Sequence, residues 1–202
     1  MVQTAGFPVH ACLVPSAFSN QYGRFAATGT VAPNEPAVIA TSPDARPRHL
    51  ALHPNGRFLY LLNETDATLC AYAVDAGNGT LAELQTRVAS LPPDFVGKPS
   101  AADLHATPDG RFLYASERAT STLAAFRIDA AKGTLSLLGR YPTETTPRGF
   151  AIDPRGRFLL AVGLASNAMT VYAIDPMRGS LAEVERYPVG DMPNWVEIVD
   201  LE

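Results

Sequence analysis

The sequence predicts an all-β protein: a β-propeller of four-stranded antiparallel blades, present in part as about three full blades and two incomplete ones. Three observations predict it. A hairpin unit recurs three times, with turns Pro54-Asn55-Gly56-Arg57-Phe58, Pro108-Asp109-Gly110-Arg111-Phe112 and Pro154-Arg155-Gly156-Arg157-Phe158. A second marker follows each turn, as Gly79-Thr80-Leu81, Gly133-Thr134-Leu135 and Gly179-Ser180-Leu181. Both markers step by 54 and then by 46 residues, and no segment carries a helical period.

Taken in order, residues 1–21 show no clear period and read as an irregular front segment, with a damaged strand at 11–14. The partial propeller spans 22–202. Residues 22–30 end in Gly29-Thr30-Val31, which matches the second marker and so reads as the tail of an earlier repeat. The full repeats cover 47–88, 101–142 and 147–188. In the first, strands are expected at 49–53, 57–63, 69–74 and 80–88, from alternation such as Leu69, Ala71, Ala73 against Cys70, Tyr72, Val74. Pro-Asn-Gly, Glu-Thr-Asp and Asp-Ala-Gly-Asn-Gly supply the turns between them. Residues 89–99 form a Pro-containing insertion that lengthens the first period. Residues 192–201 resemble the first strand of a further repeat and are expected to be a closing strand. A blade cannot cover both faces by itself, so open blade edges favour self-association.

Composition narrows the function. The chain has 202 residues, 47% hydrophobic and 18% charged, with a net charge of −4. That is a soluble composition with no electrostatic case for nucleic acid or an anionic membrane as partner. No stretch approaches the roughly 20 apolar residues that span a bilayer. Cys12 and Cys70 fit neither a disulfide framework nor a metal-ligand spacing, and a cytoplasmic setting is expected. There is no phosphate loop, dinucleotide motif or nucleophile elbow, and no metal or other cofactor is expected.

Hairpin geometry locates the chemistry. Arg48 lies seven residues before Asn55 and Glu64 eight after Gly56, so both emerge at the open end of the hairpin. If the first strand of each blade lines a central channel, Arg48, His49 and Glu64 ring one mouth of it. One period on from Glu64 is Arg118; one period on from His49 is Asp103; two periods on from Arg48 is Arg148. Glu117, Asn194 and Trp195 join the same set. The turn end repeats and serves the fold, whereas the open end changes character from copy to copy and is free for a site. Arg57, Arg111 and Arg157 read as packing arginines of the turn, Asp75, Asp129 and Asp175 as turn aspartates, and His53 as structural. His105 shares a strand face with Asp103, pointing either into the channel or into the blade.

Pro47-Arg48-His49, Asn63-Glu64, the run Ser100-Ala101-Ala102-Asp103-Leu104-His105, Ser116-Glu117-Arg118 and the run Thr143-Glu144-Thr145-Thr146-Pro147-Arg148-Gly149-Phe150 together resemble the seven-bladed propeller lactonases. That family includes propeller-type 6-phosphogluconolactonases and the fungal carboxymuconate cyclase. The resemblance runs from about Tyr22 to the C-terminus and implies a metal-free site built from a His, arginines and a Glu. Arg48, Glu64, Arg118 and Arg148 match the family's motif residues; the family's further His, in an earlier blade, has only His10 as a candidate. The implied activity is hydrolysis of a sugar lactone, 6-phosphogluconolactone first. Glu64 would be the base, with His49 or His105 assisting, or, because neighbouring arginines weaken a carboxylate as a base, would serve an electrostatic or orienting role. Arg48 or Arg118 would hold the oxyanion, and Arg148 the substrate's anionic group. Asp103, His105, Glu117 and Trp195 would contribute to substrate binding. Alternatives are a muconate-type cycloisomerase, with the same arginines on carboxylates, and a non-catalytic propeller scaffold.

Overall fold

The computed structural model describes the backbone of residues 10–15, 19–25 and 31–199, and side chains from residue 33 to 199. Its strands form one three-stranded and three four-stranded sheets, each running in chain order. The first sheet is β1 (His10–Pro15), β2 (Ser19–Phe25) and β3 (Val31–Ala40). The first full blade is β4 (Pro47–Leu52), β5 (Phe58–Asn63), β6 (Thr68–Val74) and β7 (Leu81–Ala89). The second is β8 (Ala101–Ala106), β9 (Phe112–Glu117), β10 (Thr122–Ile128) and β11 (Leu135–Pro142). The third is β12 (Pro147–Ile152), β13 (Phe158–Gly163), β14 (Ala168–Ile174) and β15 (Leu181–Pro188). All pairings are antiparallel. No helix among the described residues is long and apolar enough to cross a membrane.

The repeated motifs have local causes. In the first turn Gly56 takes φ 71°, a conformation that favours glycine, while Asn55 Oδ1 accepts from Arg57 N at 2.8 Å. The two markers also meet across blade borders. A Cβ on Gly133 would lie 2.4 Å from the Phe58 ring of the preceding blade, and one on Gly179 would lie 2.4 Å from Phe112. His53, buried, reaches the next blade through Nε2 to Gly110 O at 2.9 Å. Its structural reading therefore matches its position.

The core lies between adjacent sheets. One apolar cluster joins the first and second blades, another the second and third, and a third sets Ile39 of β3 against the first blade. This explains the continuous apolar run of β5, which is buried on both faces. On β14 burial alternates, because one face has no described neighbour.

Two expectations for the chain ends meet a different geometry. Strand β1 contains the strand expected at 11–14, while β2 runs across the end of the segment read as irregular; residues 1–9 and 16–18 fall outside the described residues. Strand β3 follows Gly29-Thr30 as β7, β11 and β15 follow their own markers, so the first sheet has its outermost strand. Sequence patterning hid it because Pro33 and Pro36 interrupt the run. At the other end, the described part of 192–201 forms no strand. It runs beside β12, close enough that a Cβ on Gly149 would meet Asn194 O at 2.7 Å. Pro193 has no N–H to offer a ladder.

Candidate active site

The innermost strand of each full blade carries a register irregularity at the same end: between Pro47 and His49 on β4, Ala101 and Leu104 on β8, and Pro147 and Gly149 on β12. The residues passed over are Arg48, Ala102 with Asp103, and Arg148. Bulges re-aim side chains beside sites. Here they act on the first strands of three consecutive blades.

Arg48 Nη1 donates to Ala102 O in the next blade. Arg118 Nη2 is ion-paired with Glu64 across the same border, and its Nε donates to Ser100 O at 3.0 Å. Burial and then the charge of Arg118 lower the pKa of Arg48; Glu64 opposes this, and Arg148 adds to it. Three guanidinium groups thus share a neighbourhood with one glutamate, a field that favours an incoming anion. Arg148 is exposed.

His49 Nδ1 lies 2.9 Å from Asp103 Oδ1, and His105 Nε2 lies 3.3 Å from Asp103 Oδ2. Burial alone would raise the Asp103 pKa. The hydrogen bonds from His105 and His49 outweigh it and hold the carboxyl well below the usual carboxylate range. Beside this pair runs a cleft lined by Asp103, His105, Phe150 and Trp195. Among the described residues no group of three or more His, Cys, Asp or Glu is arranged to hold a metal ion.

The structure thus brings together Arg48, His49, Glu64, Asp103, His105, Arg118 and Arg148. Glu117 is a correction. It is 0% exposed, and its carboxylate accepts from Ser100 N, Thr120 N and the Thr120 hydroxyl. It fastens two loops at the mouth and cannot touch a substrate. Trp195 is 71% exposed on the C-terminal segment, at the edge of the cleft. His10 lies on β1, and its side chain is outside the described residues.

Sequence reasoning gave no role to Glu144, a third buried carboxylate at this end beside Asp103 and Glu117. Glu144 receives a forked pair from Arg186, at 2.8 and 3.1 Å, and the Thr170 hydroxyl at 2.7 Å. One period before Arg186, Arg140 grips the preceding inter-blade loop through Leu91 O at 2.6 Å. The recurrence of that arginine was the available signal.

Fold and site together define a β-propeller with a cationic mouth that carries histidine and carboxylate. The family described as "Lactonase, 7-bladed beta-propeller" matches residues 22–198, and the chain belongs to it. It is 45% identical over 127 residues to the 6-phosphogluconolactonase of Pectobacterium carotovorum, covering 63% of this chain and 38% of that protein. Identity to the 6-phosphogluconolactonase of Serratia proteamaculans is 42% over 125 residues, covering 62% of this chain and 38% of that protein. The fold superposes on the periplasmic gluconolactonase of Pseudomonas aeruginosa with a TM-score of 0.83 at 34% identity, covering 90% of this chain and 52% of that structure. The matched span is thus less than two fifths of the length of these curated relatives.

Proposed function

We propose that this chain opens a sugar lactone by hydrolysis, with 6-phosphogluconolactone as the first candidate. The observation that carries this is the convergence of Arg48, Arg118 and Arg148 on a mouth that also holds Glu64 and the His49–Asp103 pair. The similarity to enzymes named 6-phosphogluconolactonase supports the substrate.

His49 takes a proton from water as its oxygen attacks the lactone carbonyl carbon. The negative charge that develops on the carbonyl oxygen is held by Arg48. Collapse breaks the bond to the ring oxygen, which recovers the proton from His49 and becomes a hydroxyl; the carboxylic acid left behind ionises by releasing its own proton to solvent. Arg148 grips the phosphate in a forked geometry that lysine cannot offer. Glu64 pairs with Arg118 and orients that guanidinium, which favours the orienting role over that of the base.

The test is the initial rate of 6-phosphogluconolactone opening, above the spontaneous background, for the chain and for Glu64→Gln and Arg118→Ala forms. Losses of about tenfold or more in both are expected, of the size that lost charge-assisted contacts produce. Near-parental rates in both would sink the assignment. A muconolactone assayed in parallel separates the cycloisomerase alternative. A cytoplasmic setting fits a phosphorylated substrate, and fractionation of the producing cell tests it. Leu160, Met169 and Val171, half-buried on the face of the third blade that has no neighbour among the described residues, support self-association there, which sedimentation would measure.

A further inference from the structure

A single buried carboxylate joins the innermost strands of all three full blades. Asp103, on β8, is 6% exposed. Its Oδ1 lies 2.9 Å from His49 Nδ1 of β4 and accepts from Leu104 N at 2.9 Å. Its Oδ2 lies 3.3 Å from His105 Nε2 and accepts from Phe150 N of β12 at 3.1 Å. The backbone of Asp103 is itself fixed, donating to Ser116 Oγ at 3.0 Å.

An ionised carboxylate can only accept. With four donors around it, Asp103 dictates where both imidazoles carry their protons. His49 must be protonated on Nδ1, which leaves its lone pair on Nε2. His105 must be protonated on Nε2, which leaves its lone pair on Nδ1, and its ring stands edge-on to Phe150 at 4.8 Å. One carboxylate thus sets opposite tautomers on two histidines of adjacent blades.

We propose that Asp103 is the positioning residue of this site: it locks His49 as the Nδ1–H tautomer and so makes Nε2 the atom that takes and returns the proton. The proposal rests on the lactone-opening reading above and deepens it. Asp103 touches no substrate atom in this role. A purely structural role would need only an acceptor for the backbone of Leu104 and Phe150. It would not need both carboxylate oxygens engaged by imidazoles from two different blades.

Two measurements test it. In the native chain, nitrogen NMR of the imidazoles above pH 8 should show His49 protonated on Nδ1. That observation does not depend on any turnover. In an Asp103→Ala chain, His49 should shift toward the Nε2–H form. There kcat should fall by about 10²–10⁴-fold with KM within about threefold, as for other histidines deprived of their orienting carboxylate. A native His49 protonated on Nε2 overturns the proposal, as does a folded Asp103→Ala chain with kcat within threefold of the parent. If Asp103→Ala fails to fold, the native tautomer alone decides. If the native chain opens no lactone, the functional reading fails while the tautomer still decides what Asp103 does to His49.

Discussion

Replacing Gly179 by alanine attacks the joint between the second and third blades. Gly179 holds φ 70°, and its added Cβ would lie 2.4 Å from Cδ1 and 2.6 Å from Cε1 of Phe112. The left-handed backbone costs an ordinary residue about 1–2 kcal/mol. Phe112 is 1% exposed and cannot swing into solvent, so forcing a methyl against it adds roughly 1–3 kcal/mol of overpacking. The sum, about 2–5 kcal/mol, is a large share of the roughly 5–15 kcal/mol that holds a domain folded. Urea unfolding followed by far-UV circular dichroism would read it as a lower midpoint. Phe112→Ala alone should cost about 3–5 kcal/mol. With the ring gone the overpacking vanishes, so the double variant should fall short of the sum by about 1–3 kcal/mol. Gly190→Ala, with nothing within 4 Å, is the control and should stay within about 0.5 kcal/mol. A Gly179→Ala loss below about 1 kcal/mol, or strict additivity with Phe112→Ala, would refute the joint.

Acid should weaken the fold through two carboxyls. In Asp103 the hydrogen bonds from His105 and His49 outweigh burial, and in Glu144 those from Arg186, Ser166 and Thr170 do, so both sit below their ordinary values. A depressed carboxyl adds stability above the ordinary range near roughly pH 4 and loses it as pH falls below that; urea midpoints from pH 7 to pH 3 should drop accordingly, and less steeply in Asp103→Asn. Glu144→Gln keeps the shape but removes the anion that Arg186 forks, and a loss of about 1–3 kcal/mol is expected in the same assay. His53→Ala removes the bond to Gly110 O and the edge contact with Phe58 at 5.7 Å. It should cost about 1–3 kcal/mol while leaving lactone kinetics unchanged, because His53 sits at the turn end of the blade.

What the sequence made legible was whatever a hairpin and a period dictate. Arg118 and Glu64 are 54 residues apart, one full repeat, and counting from the turns brought both to one mouth, where the structure pairs them. The strands of the three blades followed from turn chemistry and alternation. What stayed hidden depends on the neighbouring blade. Glu117 and Glu64 both stand at the open ends of their hairpins, yet Glu117 is sealed because Ser100 and the Thr120 turn close over it. Strand spacing set His105 on one face with Asp103, and the period set His49 at the matching place one blade earlier, but that both would bond one carboxylate depends on a register irregularity that leaves no mark in composition. The segment at 192–199 matched a first strand in its residues, but strand pairing needs donors as well as pattern.

The Gly-on-Phe contacts bear on how such a chain can change in length. The second blade carries one half of a contact at its Gly-Arg-Phe turn, where Phe112 meets Gly179 of the third blade, and another half at its Gly-Thr-Leu marker, where Gly133 meets Phe58 of the first, and each half is completed only by the adjacent blade. A duplication or excision of one whole period therefore hands every phenylalanine a new glycine of the same kind. A cut of any other length strands a ring against a Cβ or against solvent. Genes of this kind should tolerate gain and loss in blade-sized steps and resist small insertions between the two markers. Variation in length should instead collect where residues 89–99 already lengthen the first period, in the loops that frame the mouth.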